Sequence, residues 1–305
     1  MASLSRVTGA PKATLLLAAV LISCERQPPR GQRSGDSLMV SSAPPLQASR
    51  RVPWDRALGE TIATMSGEAG TPLLFMRDTL RLGPVDVELF SHDSQVVHSA
   101  FQVEGRTRGC AWQRTAQLTP LSDAIKPTPW SLALSPGIGR PIAVEAIGDL
   151  AARDSSVFAV QVRRVAGSLP DDSSSMRFRG LPIVVRDAWR LRLADGALVA
   201  VAVTTRSTNV ESNAQVDKAT IVAERDPRTS GDWDSAWTIR DTGPEERIEG
   251  TVLLAALQLR DGHAVLVFLR EGELGMQLEF IERISPGVWR LRWSSALLSC
   301  PLPPS

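Results

Sequence analysis

The chain has 305 residues, of which 43% are hydrophobic and 22% charged, a composition typical of folded globular proteins and not of disordered chains. The formal net charge is only +1, and no basic stripe with interleaved aromatic residues occurs, so we expect no nucleic-acid partner. A chain of this length buries roughly 75% of its unfolded surface, and it therefore needs neither a metal nor a dense disulfide framework to fold.

The first residues have the features of an export signal. Two positive charges, Arg6 and Lys12, precede the apolar run 13–22. This run is shorter than the roughly 18 to 20 residues that a membrane-spanning helix needs. The pattern therefore predicts a signal peptide and not a permanent membrane span.

The apolar run ends in Leu21-Ile22-Ser23-Cys24. This tetrapeptide resembles the lipobox of bacterial lipoproteins, in which a cysteine follows a leucine, a small or aliphatic residue and a small residue. The resemblance implies that residues 1–23 are removed and that Cys24 carries the lipid, and two or three acyl chains anchor a protein stably to a membrane. The alternative is an ordinary signal peptide with Cys24 incidental.

The lipobox resemblance also implies a location. It places the chain in the bacterial cell envelope, anchored by lipid, either on the periplasmic face of a membrane or at the outer membrane. Glu25, the residue after Cys24, is similar to the pattern that permits transport to the outer membrane. Removal of the signal would change the formal charge from +1 to −1, because Arg6 and Lys12 leave with it.

The two remaining cysteines are Cys110 and Cys300. An even pair in an exported, oxidising setting predicts a disulfide bond between them. Such a bond would close a loop of 190 residues, which the chain-entropy model values at up to about 5 kcal/mol. Two separate buried thiols are the alternative.

Residues 24–52 are rich in Pro, Ser, Gly and Arg and show no periodicity, so we interpret them as a flexible tether with a span of roughly 30 Å. The segment 53–84 follows as a helix and a connection. Within it, 53–66 is predicted to be one short amphipathic helix, because apolar residues recur at i, i+4, i+8 and i+11. These residues are Trp54, Leu58, Ile62 and Met65.

From residue 85 to 305 the pattern predicts an all-β domain, since apolar runs are short, rich in valine and bounded by turn residues. Three hairpins are predicted: 143–150 with 157–162, 183–193 with 197–203, and 251–259 with 264–269. Their turns contain Asp154-Ser155, Asp195-Gly196 and Asp261-Gly262. Asp-Gly is a strong hairpin signal, because its glycine adopts positive φ freely.

Alternation predicts which strands have an exposed face. Apolar residues and arginines alternate in 189–193 and 289–293, which indicates half-exposed strands whose tryptophans point inward. The runs 197–203 and 264–269 are apolar on both faces, which indicates strands covered on each side. We therefore expect stacked sheets.

Four successive strands are predicted in 183–241 and again in 250–298, with weaker versions in 85–134 and 141–180. Repeated four-stranded meanders are typical of propeller blades, and a large β-sandwich is the alternative. The predicted class is thus mainly β and antiparallel, with one short N-terminal helix.

The sequence indicates no catalytic residue, no metal site and no cofactor. His92, His98 and His263 have no metal-ligand spacing, and no nucleophile motif occurs. The glycine-containing segment 136–141 is interpreted as a strand connection. Two acidic groups are interpreted as solvated turns: Asp171 with Asp172, and Asp226 with Asp232 and Asp234.

Three functional hypotheses remain open at this point. The first is a non-catalytic interaction subunit, tethered to a membrane through its N-terminal lipid and docking on an envelope protein complex. The second is a domain that binds a small ligand or glycan through loops such as 168–175 and 207–217. The third is a hydrolase whose acidic residues meet only in the fold.

Overall fold

The computed structural model describes residues 54–66, 71–76, 83–91, 96–106, 114–119, 130–208, 214–226, 232–272 and 275–295. These residues form three antiparallel sheets and one α-helix, which confirms the predicted mainly β, antiparallel class.

We name the sheets by their position. The outer sheet contains, in spatial order, β2 (Thr71–Met76), β1 (Thr61–Ser66), β6 (Leu132–Leu134), β3 (Gly83–Phe90), β4 (Val96–Arg106) and β5 (Arg114–Thr119). The middle sheet contains β16 (Val288–Ser294), β15 (Gly275–Ser285), β14 (Ala264–Gly272), β13 (Gly250–Leu259) and β7 (Gly139–Pro141). The helix-side sheet contains β12 (Asp234–Pro244), β11 (Gln215–Arg225), β10 (Leu198–Thr208), β9 (Val184–Arg192) and β8 (Val144–Ala146).

The helix α1 (Ala152–Ser168) covers the free face of the helix-side sheet. Short 3-10 turns lie at Arg56–Leu58, Ile147–Asp149, Met176–Phe178 and Glu245–Arg247.

Strand alternation sets the order of the layers. In β10, Val199 and Val201 belong to the core shared with the middle sheet, whereas Ala200 and Ala202 belong to the core under α1. The small alanines let the helix approach the sheet closely. Both faces of β10 are therefore buried, as predicted for 197–203.

The central strand of the middle sheet is covered in the same way. In β14, Val265 and Val267 pack in the core with the outer sheet, and Leu266 and Phe268 pack in the core with the helix-side sheet. The order is thus outer sheet, middle sheet, helix-side sheet and helix. With α1 covering the end of this stack, the fold is sandwich-like, and the three sheets of the described residues are stacked as layers and not arranged around an axis as in a propeller.

The two Asp-Gly hairpins are confirmed. In each, the glycine has a positive φ, 88° at Gly196 and 90° at Gly262. The preceding aspartate accepts a hydrogen bond from the backbone N–H two residues later, at 3.1 Å in both turns. The four-stranded units that they begin, β9–β12 and β13–β16, also occur as predicted.

The predicted helix over 53–66 is wrong. Asp55 caps the 3-10 turn by accepting a bond from the N–H of Ala57 at 2.8 Å, and β1 follows from Thr61. The apolar positions were correct as core positions, since Leu58 and Ile62 are fully buried in the core between the outer and middle sheets. A turn followed by a strand reaches the same core, and the β-branched residues of β1 favour extension.

The predicted strand 157–162 is also wrong, since these residues lie within α1. The helix buries Phe158, Val162, Val165 and Ala166, which recur at i, i+4, i+7 and i+8, one face of a helix. The short window 157–162 is apolar except for Gln161, so the longer helical period was not recognised within it. The four-strand unit assigned to 141–180 is wrong for the same reason.

Strand 289–293 departs in part from its predicted alternation. Trp289 and Trp293 are buried as predicted, whereas Leu291 is 42% exposed. Register shifts between β15 and β16, at Phe280/Ile281 and Arg283/Ser285, rotate the strand locally. In strand 189–193, Trp189, Leu191 and Leu193 are all buried as predicted.

Candidate functional site

Several predicted site residues lie outside the described part of the chain. These are the lipidation residue Cys24 and the predicted disulfide pair Cys110 and Cys300, together with the signal peptide and the tether. His92 also lies outside it. The predictions made for these residues therefore remain predictions.

The two described histidines do not lie in a site. The side chain of His98 is 70% exposed, with Nδ1 3.7 Å from Glu88 Oε1. His263 Nδ1 lies 3.2 Å from the carbonyl oxygen of Arg283 and 3.5 Å from Glu282 Oε1. Among the described residues, no three His, Cys, Asp or Glu side chains are grouped so that they could hold a metal.

The structure instead brings charged side chains together between the layers. Under the end of α1, Asp217 of β11 is only 2% exposed. Arg206 Nε donates to Asp217 Oδ2 at 2.8 Å, and Arg240 Nη2 donates to the same oxygen at 3.2 Å. Arg240 Nε also lies 2.8 Å from Asp217 Oδ1 as an ion pair, without hydrogen-bond geometry. One buried carboxylate thus holds two guanidiniums.

The same arginines hold the loop that follows α1. Arg206 Nη2 donates to Asp171 Oδ1 at 2.9 Å, and Arg240 Nη1 donates to the carbonyl oxygen of Pro170 at 2.8 Å. The hydrogen bonds from Arg206 and Arg179 lower the pKa of the Asp171 carboxyl. Asp171 was predicted to be solvated, but its side chain is only 12% exposed. The loop region 168–175, predicted to bind a ligand, is thus closed by internal contacts.

A second cluster joins the middle and helix-side sheets. Arg283 donates two bonds to Glu224, from Nε to Oε2 at 3.1 Å and from Nη2 to Oε1 at 2.5 Å. Trp289 Nε1 donates to Glu224 Oε2 at 3.0 Å, and Asp195 Oδ2 accepts from Arg283 Nη1 at 2.7 Å. Glu224 is 7% exposed, so this bidentate pair is buried between the two sheets.

A third cluster lies at the other end of the same interface. Arg270 lies 3.1 Å from Asp241, 2.8 Å from Glu249 and 3.3 Å from Glu279, measured between nitrogen and carboxylate oxygen. Lys218 Nζ donates to the carbonyl oxygen of Glu249 and, at 2.9 Å, to Thr251 Oγ1.

Burial controls the protonation of this third cluster. It lowers the pKa of the Lys218 amine to about 8, from an ordinary value of 10.5. It raises the pKa of the Glu279 carboxyl, although Arg270 opposes this shift.

A fourth cluster ties the segment before β1 to the middle sheet. Arg292 Nε lies 2.6 Å from Asp55 Oδ2, Nη1 lies 2.9 Å from Glu282, and Nη2 lies 2.8 Å from Asp261. The Arg292 side chain is 11% exposed. Arginine suits these positions because its planar, forked guanidinium serves several carboxylates at once.

A different environment lies along one side of α1. We call it the helix-flank groove. Its larger half, about 550 Å³, lies between the first turns of α1 and the ends of β9, β10 and β11. Its smaller half, about 360 Å³, continues along the helix to Ser168. Gln161, Arg225 and Trp233 line both halves, so the two are contiguous.

Trp233 is part of the wall of the groove where the two halves meet. Its Nε1 donates to Gln161 Oε1 at 3.1 Å, and its ring lies 6.3 Å from the ring of Phe158. The Cζ atom of Arg225 lies 4.9 Å from the centre of the Trp233 ring. Because the indole is fixed by the helix and stacked against a guanidinium, this wall of the groove is preorganised.

The charged walls of the groove are only partly neutralised. Arg190 Nε pairs with Glu145 Oε2 at 2.5 Å, and Arg164 pairs with Asp232 at 2.8 Å. Arg192 is exposed and has no ion-pair partner within the described ranges. Arg192 and Arg225 therefore present positive charge to the groove, and Asp154 presents one negative charge at the first turn of α1.

The helix wall adds apolar surface. Val157 and Val160 are 51% and 61% exposed, and each lines one half of the groove. The sequence interpretation placed both valines in a hairpin strand, and so it missed this helical surface. The helical spacing of Phe158, Val162 and Val165 is the signal that would have identified it.

A second groove of about 570 Å³ lies between the outer and middle sheets, lined by Glu88, Arg140 and Arg260 among others. Its wall includes the backbone of Gly137 and Gly139, within the segment 136–141. Residues 136–138 connect β6 to β7, as predicted, whereas 139–141 form the strand β7 itself. None of the described residues that line this groove is aromatic, so we take the helix-flank groove as the better candidate.

No helix in the described ranges is long and apolar enough to cross a membrane. In comparisons with known proteins, no family model, no curated protein and no solved structure matches the chain.

Proposed function

We propose that this chain is an exported lipoprotein whose β-rich body is a non-catalytic interaction subunit. In this proposal lipid on Cys24 holds the chain to a membrane of the bacterial envelope, residues 24–52 act as a spacer, and the body docks on an envelope protein. The location is supported by the resemblance of Leu21-Ile22-Ser23-Cys24 to a lipobox.

The helix-flank groove is the observation that carries the docking part of the proposal. Val157 and Val160 expose more than half of their surface on one side of α1, next to Arg192 and Trp233. Exposed apolar residues beside an aromatic and arginines are typical of the centre of a protein interface. The interior charges, by contrast, are engaged in contacts that join the layers.

The hydrolase hypothesis gains less support from the same groove. Glu145 and Asp154 both line it. However, Glu145 is paired with Arg190 and its side chain is 58% exposed, whereas a general acid needs a dry environment that raises its pKa.

A small-ligand role is the second candidate, because about 550 Å³ falls within the volume range of ligand sites. A thermal-shift screen with glycans and small anions tests it. A ligand that raises the melting temperature of the wild-type protein but not of a Trp233→Ala variant would favour this role over docking.

The tether is tested by mass spectrometry of the N-terminus of the full chain, produced in a bacterium and recovered from membranes. We expect Cys24 to be the first residue and to carry acyl chains. A Cys24→Ser variant should lose both the lipid and the membrane association. An unmodified Met1, or a downstream start without fatty acid, would contradict the proposal.

Docking is tested by purification from detergent-solubilised native membranes. We expect the wild-type chain to bring an envelope protein with it in a fixed ratio. Recovery of the lipidated chain only as a free monomer would contradict the interaction role while leaving the anchor intact.

A further inference from the structure

The length of the helix-flank groove sets the size of a segment that it can hold. From Asp154 to Ser168 the helix rises about 21 Å, and the groove follows it over this distance. An extended strand covers this length with about six residues.

The positive charges in the groove favour acidic side chains in such a strand. Arg192 is exposed without a partner within the described ranges, and the Cζ atom of Arg225 lies over the Trp233 ring, 4.9 Å from its centre. A guanidinium that lies over an aromatic ring can still donate its N–H groups to a carboxylate. The two arginines lie on the sheet wall of the groove, at the ends of β9 and β11.

The opposite wall, formed by α1, favours apolar side chains in the bound strand. Val157 and Val160 lie three residues apart on α1 and therefore occupy the same side of the helix. Alternate residues of an extended chain point in opposite directions. A strand in the groove can thus direct carboxylates to the arginine wall and aliphatic side chains to the valines.

We infer that the helix-flank groove binds an extended acidic segment of a partner protein, in which acidic and aliphatic residues alternate. Arg192 and Arg225 bind the carboxylates, and Val157 and Val160 contact the aliphatic side chains. This inference rests on the proposed function, since it specifies the segment on which the interaction subunit docks.

The test uses a fluorescein-labelled peptide of about six residues with alternating glutamate and leucine, and fluorescence polarisation with the purified full chain. Peptides with glutamine or lysine in place of glutamate are the comparison probes. We expect only the acidic peptide to bind, and its affinity to fall as salt is raised. Equal binding of the acidic and glutamine peptides would overturn the inference.

Variants locate the binding site. Arg192→Gln and Arg225→Gln should each weaken the acidic peptide about tenfold, the typical value of a charge-assisted hydrogen bond, and Val160→Asp should also weaken it. Arg163→Gln is the matched control, because Arg163 is exposed on the same helix but does not line the groove. Groove variants that bind like the wild type would overturn the inference.

The double variant Arg192→Gln/Arg225→Gln separates this inference from the proposed function. If it still recovers the envelope protein from native membranes as the wild type does, the interaction role stands and the groove is not the docking site. If neither chain recovers a partner, the interaction role itself fails.

Discussion

Arginines occupy two contrasting environments in this protein. Arg206, Arg270, Arg283 and Arg292 lie between layers with side chains 11 to 13% exposed, and each contacts at least two acidic side chains. Arg192 and Arg225 lie at the helix-flank groove, where neither is part of such a cluster. The same residue type therefore stabilises the stack in one region and leaves charge for a partner in the other.

The difference follows from desolvation. A buried guanidinium requires carboxylates, because an unpaired charge in the interior costs several kcal/mol. An exposed guanidinium is hydrated and can exchange water for a ligand carboxylate. Substitutions of the buried charges should therefore reduce stability more than substitutions of the exposed ones.

Removal of the most buried carboxylate, that of Asp217, should have the largest effect on the free energy of unfolding. Asp217→Ala leaves Arg206 and Arg240 with Asp171 as their remaining shared carboxylate, so we expect a loss of about 3 kcal/mol in the free energy of unfolding, at the low end of the cost of breaking a buried ion pair. Urea denaturation measures it. Asp234→Ala, at an exposed position of the same sheet, should change stability by less than about 0.5 kcal/mol. Similar losses for both variants would contradict the contrast.

The protonation of the Lys218 amine should make the free energy of unfolding depend on pH. Its pKa is about 8 in the folded protein and 10.5 ordinarily, so between these values the unfolded chain binds more protons. Stability should therefore rise with pH across this window, by up to about 3 kcal/mol. The increase should be absent in Lys218→Met.

The range between pH 8 and 10.5 suits the Lys218 measurement, because few other side chains of this chain titrate there. The chain has no tyrosine, and its only other lysines are Lys12 and Lys126. Denaturation curves at several values between pH 8 and 10.5 would measure the difference between wild type and variant. Parallel profiles for the two would show that Lys218 is hydrated.

An exposed ion pair should contribute less. Arg164 and Asp232 lie 2.8 Å apart at the edge of the groove, with side chains 72% and 67% exposed. A double-mutant cycle with Arg164→Ala and Asp232→Ala should give a coupling energy of about 0–1 kcal/mol. A coupling energy above about 2 kcal/mol would mean that this exposed pair contributes as much as a buried one, and it would contradict the contrast between the two environments.

The groove arginines should have the smallest effect on folding. Arg192→Gln and Arg225→Gln should each change the free energy of unfolding by less than about 0.5 kcal/mol, although both weaken the acidic peptide. A larger loss on thermal denaturation would mean that these arginines serve the fold and not a partner.

Sequence periodicity predicted local structure well where the pattern matched the length of the element. The hairpins at Asp195-Gly196 and Asp261-Gly262 and the strands around them are correct, because turn chemistry and alternation act over a few residues. The helix 152–168 was missed because its valines also favour strands, and contacts with Ala200 and Ala202 decided the outcome. Helical spacing at 54–65 predicted core positions in the wrong element, because burial alone does not specify the backbone.

The sequence by itself determined the two Asp-Gly hairpins, the buried tryptophans and the presence of stacked sheets, since these depend on neighbours along the chain. Only the tertiary structure decided the partners of charged residues, which are far apart in sequence. Asp195 and Asp261 illustrate both levels. Each accepts a hydrogen bond within its own predicted turn, and each also accepts a hydrogen bond from an arginine of a distant strand, Arg283 or Arg292. The helix-flank groove also depends on the tertiary structure, because it forms only where α1 lies against the ends of three strands.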